Sequence, residues 1–110
     1  MEKKAWLELL MDFYGQTLTE RQRRAVEAYC GEDYSLSEIA QSEGISRQGV
    51  RDALVRAEKS LTAMEDQLQI VTRYLALKNG LQQVCKDLDA KHCQEQAAQI
   101  RQLLARWEGQ

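Results

Sequence analysis

Two groups of residues in this 110-residue chain could do chemistry. The first lies in SRQGVRDALVRAEKS, residues 46–60, where Arg47, Gln48, Arg51 and Lys59 recur along what reads as a single helix. An arginine at position 51 can fork to a guanine edge and a glutamine at 48 can pair with an adenine. Ser46 and Arg47 fall at the helix start, where backbone N–H groups without intrahelical partners can meet a phosphate. With Val50 and Leu54 pointing inward, Gln48, Arg51, Val55 and Lys59 project outward. Ser46, Arg47, Gln48, Arg51, Val55 and Lys59 are therefore the candidate nucleic-acid contacts. Asp52 lies among them and opposes a phosphate, and Arg47, Arg51, Arg56 and Lys59 also fit an ordinary solvated helix face.

The second group is Cys85, His92 and Cys93. Its spacing does not suit a zinc knuckle and no fourth ligand is apparent, so no metal site is expected. His92 is the only histidine, and neither a nucleophile elbow nor a phosphate loop is present. The acids are scattered along helices as surface charge. The expectation is a protein without enzymatic activity or cofactor.

These groups need positioning elements, and the composition supplies helices. There is no proline, only six glycines, and many Leu, Ala, Gln, Glu, Lys and Arg residues, which favour helix and offer little for strands. The fold class is all-α. With 44% hydrophobic residues the chain can build one modest core, with an extension. The net charge is −2, with nine Lys or Arg against eleven Asp or Glu in residues 1–60 and six against six thereafter. Any nucleic-acid surface must then come from local arrangement, because compact duplex binders are often basic. Three cysteines outside any Cys-x-x-Cys spacing fit a reducing cytoplasm, and no membrane span or export signal is expected.

The central element spans Ser46–Asn79. Val50, Leu54, Ala57, Leu61, Met64, Leu68, Val71 and Leu75 repeat at intervals of four and three, the heptad seam of a helix packed lengthwise on others. Read as one helix it would be roughly 50 Å long. The seam places Leu68 in a buried position and invites pairing within the chain or with a second copy.

Before it, the spacing predicts a first helix over residues 3–14, with Trp6, Leu9, Leu10, Phe13 and Tyr14 on its packed face and Gly15 as the left-handed terminator. A second helix runs from the capping box Thr19/Gln22 to Gly31, burying Ala25, Val26, Tyr29 and Cys30. Its Arg21, Arg23 and Arg24 either pair within the helix, as Arg23 with Glu27, or contact phosphate. A short third helix opens at the capping box Ser35/Glu38, with Tyr34 stapled to Ile39, and ends at Gly44. Ser46 then caps the long helix, with Ile45 stapled to Val50. After Asn79, Gly80 is expected to interrupt the helix, and a short one carries Leu81, Val84 and Leu88. The last, about 93–107, carries Ala97, Ile100, Leu103, Leu104 and Trp107 on one face.

The third helix, the glycine turn and SRQGVRDALVRA form a helix-turn-helix. Residues 18–61 resemble region 4 of bacterial primary sigma factors. The chain more closely resembles the YlxM-like family of small bacterial proteins, through LTERQR at 18–23, SLSEIA at 35–40, GISRQGV at 44–50 and the charged heptads that follow. The resemblance implies a regulatory role in the signal recognition particle pathway, a link that rests chiefly on gene neighbourhood in that family. Its target there could be particle RNA or the targeting GTPase. The helix-turn-helix alone points to a sequence-specific DNA-binding regulator, and the heptads to a homodimer. By domain, residues 1–61 are expected to form the head and 62–110 a helical extension, either within the same compact domain or as a dimerisation arm. Two residues depart from the usual pattern: Glu43 stands before the turn glycine, where an apolar residue is common, and Gly49 lies in the first turn of the recognition helix.

Overall fold

Among the described residues every regular element is helical. The computed structural model describes residues 1–109 as α1 (Lys3–Tyr14), α2 (Glu20–Val26), α3 (Leu36–Glu43), α4 (Arg47–Leu68), α5 (Ile70–Ala90) and α6 (Gln94–Trp107). The chain divides into two compact units, Met1–Val71 and the residues from Thr72 onward.

In the first unit α4 is the spine, and α1, α2 and α3 all pack on it. Leu7, Leu10 and Tyr14 of α1, Ala25 and Val26 of α2, Ile39 and Ala40 of α3, and Val50, Ala53, Ala57 and Leu61 of α4 are buried. Both capping boxes form: Thr19 Oγ1 accepts from the Gln22 N–H and Ser35 Oγ from the Glu38 N–H, with the reciprocal bonds also made. Such caps each contribute about 1 kcal/mol. Gly44 ends α3 at φ 67°, a conformation glycine adopts without strain. Ile45 packs beside Val50, as the staple requires. Gly15 departs from expectation. It is right-handed (φ −58°) and buried, and α1 continues into a single 3₁₀ turn, Gly15–Thr17. A Cβ there would touch the Met11 side chain at 3.4 Å, so close packing explains the glycine. The second helix does reach Gly31, but widens into a π turn over Glu27–Gly31.

The expected single helix over Ser46–Asn79 is two helices. α4 stops at Leu68, Gln69 is left-handed (φ 54°, ψ 29°), and α5 starts at Ile70. A left-handed non-glycine residue costs roughly 1–2 kcal/mol, and nothing in the local sequence requests it. The tertiary reason is a buried polar cluster. Tyr14 Oη donates to Glu65 Oε1 at 2.7 Å, the Val71 N–H donates to that same carboxylate oxygen at 3.0 Å, and the Ile70 N–H donates to Tyr14 Oη at 3.3 Å. The first two N–H groups of α5 therefore have side-chain acceptors. Burial and the bond to Glu65 raise the Tyr14 hydroxyl pKa above its ordinary value. The heptad seam is correspondingly uneven: Ala57, Leu61 and Val71 are buried, whereas Leu68 is 42% exposed beside the break rather than packed.

Within the second unit, α5 runs through Gly80 without interruption, so the expected separate short helix is the end of a 21-residue one. Glycine inside a helix costs about 1 kcal/mol relative to alanine, too little to stop a helix with so many flanking turns. His92 supplies the left-handed residue of the turn into α6 (φ 60°). The two helices run antiparallel, joined by the buried Cys85 against Ala97, by an Arg101–Asp89 ion pair at 2.6 Å, and by Trp107 stacked on Tyr74 at 5.3 Å between ring centroids.

Glu108 closes that end of the hairpin, accepting from Lys78 Nζ at 2.7 Å and from the Tyr74 hydroxyl. Lys78 first, then Tyr74, hold the Glu108 carboxyl below its ordinary value of 4.5. A depressed carboxyl pKa stabilises the folded form above the unfolded value and loses that contribution as pH falls through the lower folded value. The Trp107 indole resonance in NMR spectra should therefore shift as pH is lowered below about 4.5. Glu108→Gln should remove that acid-dependent shift.

Candidate nucleic-acid interface

The candidate surface is built from α3, the Gly44–Ile45 turn and the first half of α4. Ser46 is the N-cap of α4, and its Oγ accepts from the Gly49 N–H at 3.0 Å. The cap explains Gly49, because a Cβ there would lie 3.3 Å from Ser46 Oγ and 3.5 Å from Ile45 Cδ1. The same cap consumes one N–H of the first turn and leaves those of Arg47 and Gln48 at the open end of the helix.

Val50 and Ala53 turn inward and are buried, with Leu54 half-buried against them. That rotation leaves Ser46, Arg47, Gln48, Arg51, Val55 and Lys59 all exposed. All six sequence-derived candidates therefore lie on or at the head of one outward strip of α4. Arg47, Arg51 and Lys59 make no ion pair among the described residues, so their charge is available to a ligand. Gln48 differs: its amide donates to Asp52 Oδ1 at 3.0 Å, and reaching an adenine would require leaving that bond. Val55 is 51% exposed, an apolar spot within a charged strip.

Sequence reasoning did not include the neighbours of this strip. Arg51 and Val55 form one wall of an open, largely apolar groove of about 390 Å³, whose other wall includes Lys3, Lys4 and Leu7 of α1. Lys3 pairs with Glu58 at 3.4 Å, which places the amino-terminal turn of α1 beside the recognition helix. Lys4 bonds Asp33 at 2.6 Å and lies 4.3 Å from the centre of the Tyr29 ring. The pattern of α1 points to Leu10 and Tyr14, which are buried, but misses the buried Leu7 and does not tell where the first turn lies; Trp6, Leu9 and Phe13 are only half-buried.

Glu43, unusual for a helix-turn-helix, has a partner in another helix. Arg24 Nε of α2 donates to Glu43 Oε1 at 2.9 Å, and Arg24 also lies 3.7 Å from Glu20. The ion pairs of α2 thus run through Arg24 rather than through Arg23 and Glu27. Arg24 is spent on holding α2 to α3 and is poorly placed to serve a phosphate as well. Cys85, His92 and Cys93 do not converge: among the described residues, no three His, Cys, Asp or Glu side chains are grouped to hold a metal ion. No helix among those residues is long and apolar enough to cross a membrane.

The model of UPF0122, described as "Putative helix-turn-helix protein, YlxM / p13 like", matches residues 1–103. The chain belongs to the UPF0122 family. A UPF0122 protein of Acetivibrio thermocellus is 39% identical over 108 residues, covering 98% of this chain and 92% of the relative. One from Desulforamulus reducens is 45% identical over 83 residues, 76% of this chain and 71% of that protein. One from Lactococcus lactis subsp. cremoris is 37% identical over 86 residues, 78% of each chain. The UPF0122 match takes in α1 through α5 and most of α6, so the family pattern extends beyond the helix-turn-helix.

Proposed function

We propose that this UPF0122 protein is a non-enzymatic regulator or adaptor that acts by binding through the outward strip of α4. The observation that carries this reading is the convergence of Ser46, Arg47, Gln48, Arg51, Val55 and Lys59 on one exposed face, where three cations make no ion pair among the described residues. Phosphates supply affinity to such a strip and base edges supply choice. The YlxM resemblance supports a target in the signal recognition particle pathway, either particle RNA or the targeting GTPase. Sequence-specific DNA, as for a transcriptional regulator, is the alternative, and it is supported by the α3–turn–α4 arrangement itself.

The same reading assigns a cytoplasmic location and a homodimer. Leu77 and Val84, seven residues apart on α5, and Leu103 and Trp107 on α6 are exposed, and heptad-spaced apolar residues suit a second copy of the chain.

The test is retention from cell extract on immobilised protein, with and without nuclease, at low and moderate salt. Nucleic-acid binding predicts retained RNA or DNA that falls steeply with salt. Capture of the targeting GTPase after nuclease supports the adaptor form, and capture of a defined DNA fragment supports the alternative. Retention of neither nucleic acid nor the GTPase would sink the reading.

A further inference from the structure

The first unit carries a second groove, which neither the family match nor the proposed binding role uses. It lies between α1 and the π turn that ends the second helix, encloses about 310 Å³, and has Met11, Val26 and Cys30 as its apolar floor. Val26 is buried, while Met11 and Cys30 are half-buried and open to it. Gly31 leaves bare backbone at the edge, where an added Cβ would meet only Glu8 Oε1 within 4 Å, at 3.8 Å. π turns are rare and occur frequently at functional sites.

The rim of this groove has a single sign. Glu8 and Asp12 of α1, with Glu27 and Glu32 at the two ends of the π turn, stand exposed around the floor, and no Lys or Arg lines it. None of the four makes an ion pair among the described residues, and the nearby cations Lys4 and Arg24 are held by Asp33 and by Glu43 and Glu20. The groove over Arg51 and Val55 differs, because Lys3, Lys4 and Arg51 all line it. Lys3 and Asp12 are about two and a half turns apart, which sets them on opposite sides of α1.

Four carboxylates repel a phosphate backbone, so this groove does not suit nucleic acid. A metal ion or a polyamine would answer the charge and leave the apolar floor in water. A helix with an apolar row flanked by Lys or Arg answers both, seating its apolar side chains on the floor and its cations on the rim. The unbranched Met11 side chain can adapt to such an anchor.

We propose that the groove between α1 and the π turn docks a basic amphipathic helix of a partner protein. This surface stands independently of what the α4 strip binds.

The test uses the full chain and a synthetic peptide of about eighteen residues, long enough to form helix in water, with leucine along one face and lysine on the other. At physiological salt it should bind and shift the Met11 methyl and the Gly31 amide in NMR spectra, leaving Arg47 and Arg51 unmoved. Glu8→Lys with Asp12→Lys, both at exposed positions, should weaken binding roughly tenfold or more. Arg47→Glu with Arg51→Glu should not, so this surface and the α4 reading fail separately. If the reversed chain does not fold, Glu8→Gln with Asp12→Asn decides in its place, with an expected loss of roughly threefold or more. A peptide with serine in place of leucine keeps the charge and should lose the binding. Absence of binding, shifts confined to another face, equal binding of the serine peptide, or full affinity in the altered chain overturns the proposal. So do groove shifts that follow the protein's own concentration without peptide, which would assign the groove to a second copy.

Discussion

Arg47→Glu combined with Arg51→Glu is expected to weaken nucleic-acid binding by roughly a hundredfold or more while leaving helix content unchanged. A base-reading arginine contributes about 1–3 kcal/mol, and reversal adds repulsion to the loss. Both side chains are exposed and make no ion pair among the described residues, so reversing them breaks no internal ion pair there. Circular dichroism should therefore match the parent chain. Binding would be measured at fixed salt with the nucleic acid recovered from extract, because the phosphate contribution varies steeply with ionic strength. Unchanged affinity in the double variant would remove the recognition role from α4.

Leu61→Lys is expected to unfold the first unit, and Leu68→Lys is not. The two positions share the heptad seam, and the sequence alone offers no reason to rank them. Leu61 is fully buried at the centre of α4, where a lysine would place a charge among apolar side chains. Such a substitution costs on the order of 4 kcal/mol or more, against a total stability of about 5–15 kcal/mol for a domain. A fall in melting temperature of roughly 15 °C or more should follow for a unit of this size. Leu68 is 42% exposed, and a lysine there can lie along the surface with its ammonium in water, at a cost within about 1 kcal/mol. Thermal denaturation of both variants, followed by circular dichroism, compares them directly. Equal destabilisation would mean that Leu68 is packed in solution.

The helix-turn-helix was legible because its signals are local. Thr19 with Gln22, Ser35 with Glu38, Gly44 and Ser46 each act within one turn of the backbone they cap, so their spacing alone fixes where α2, α3 and α4 begin or end. The exposure of the six candidate residues was legible for a similar reason: once Val50 is inward, the helical period settles which residues face out. Their neighbours on α1 were not, because Lys3 and Lys4 lie more than forty positions away in the chain from Arg51 and Val55, and only packing brings them to one groove.

What the sequence by itself determined is the all-α class, the caps, the helix-turn-helix and the outward strip of α4, all consequences of interactions between residues a few positions apart. The tertiary structure decided the rest. It gave Glu43 a partner in Arg24, made Gly15 a packing residue rather than a left-handed terminator, and stopped α4 at Gln69 although the heptads run on. The physical reason is common to all three. A heptad pattern records which residues are apolar, whereas a buried carboxylate such as Glu65 must find donors wherever the fold supplies them, and here they come from Tyr14, fifty-one residues away, and from the first turn of α5.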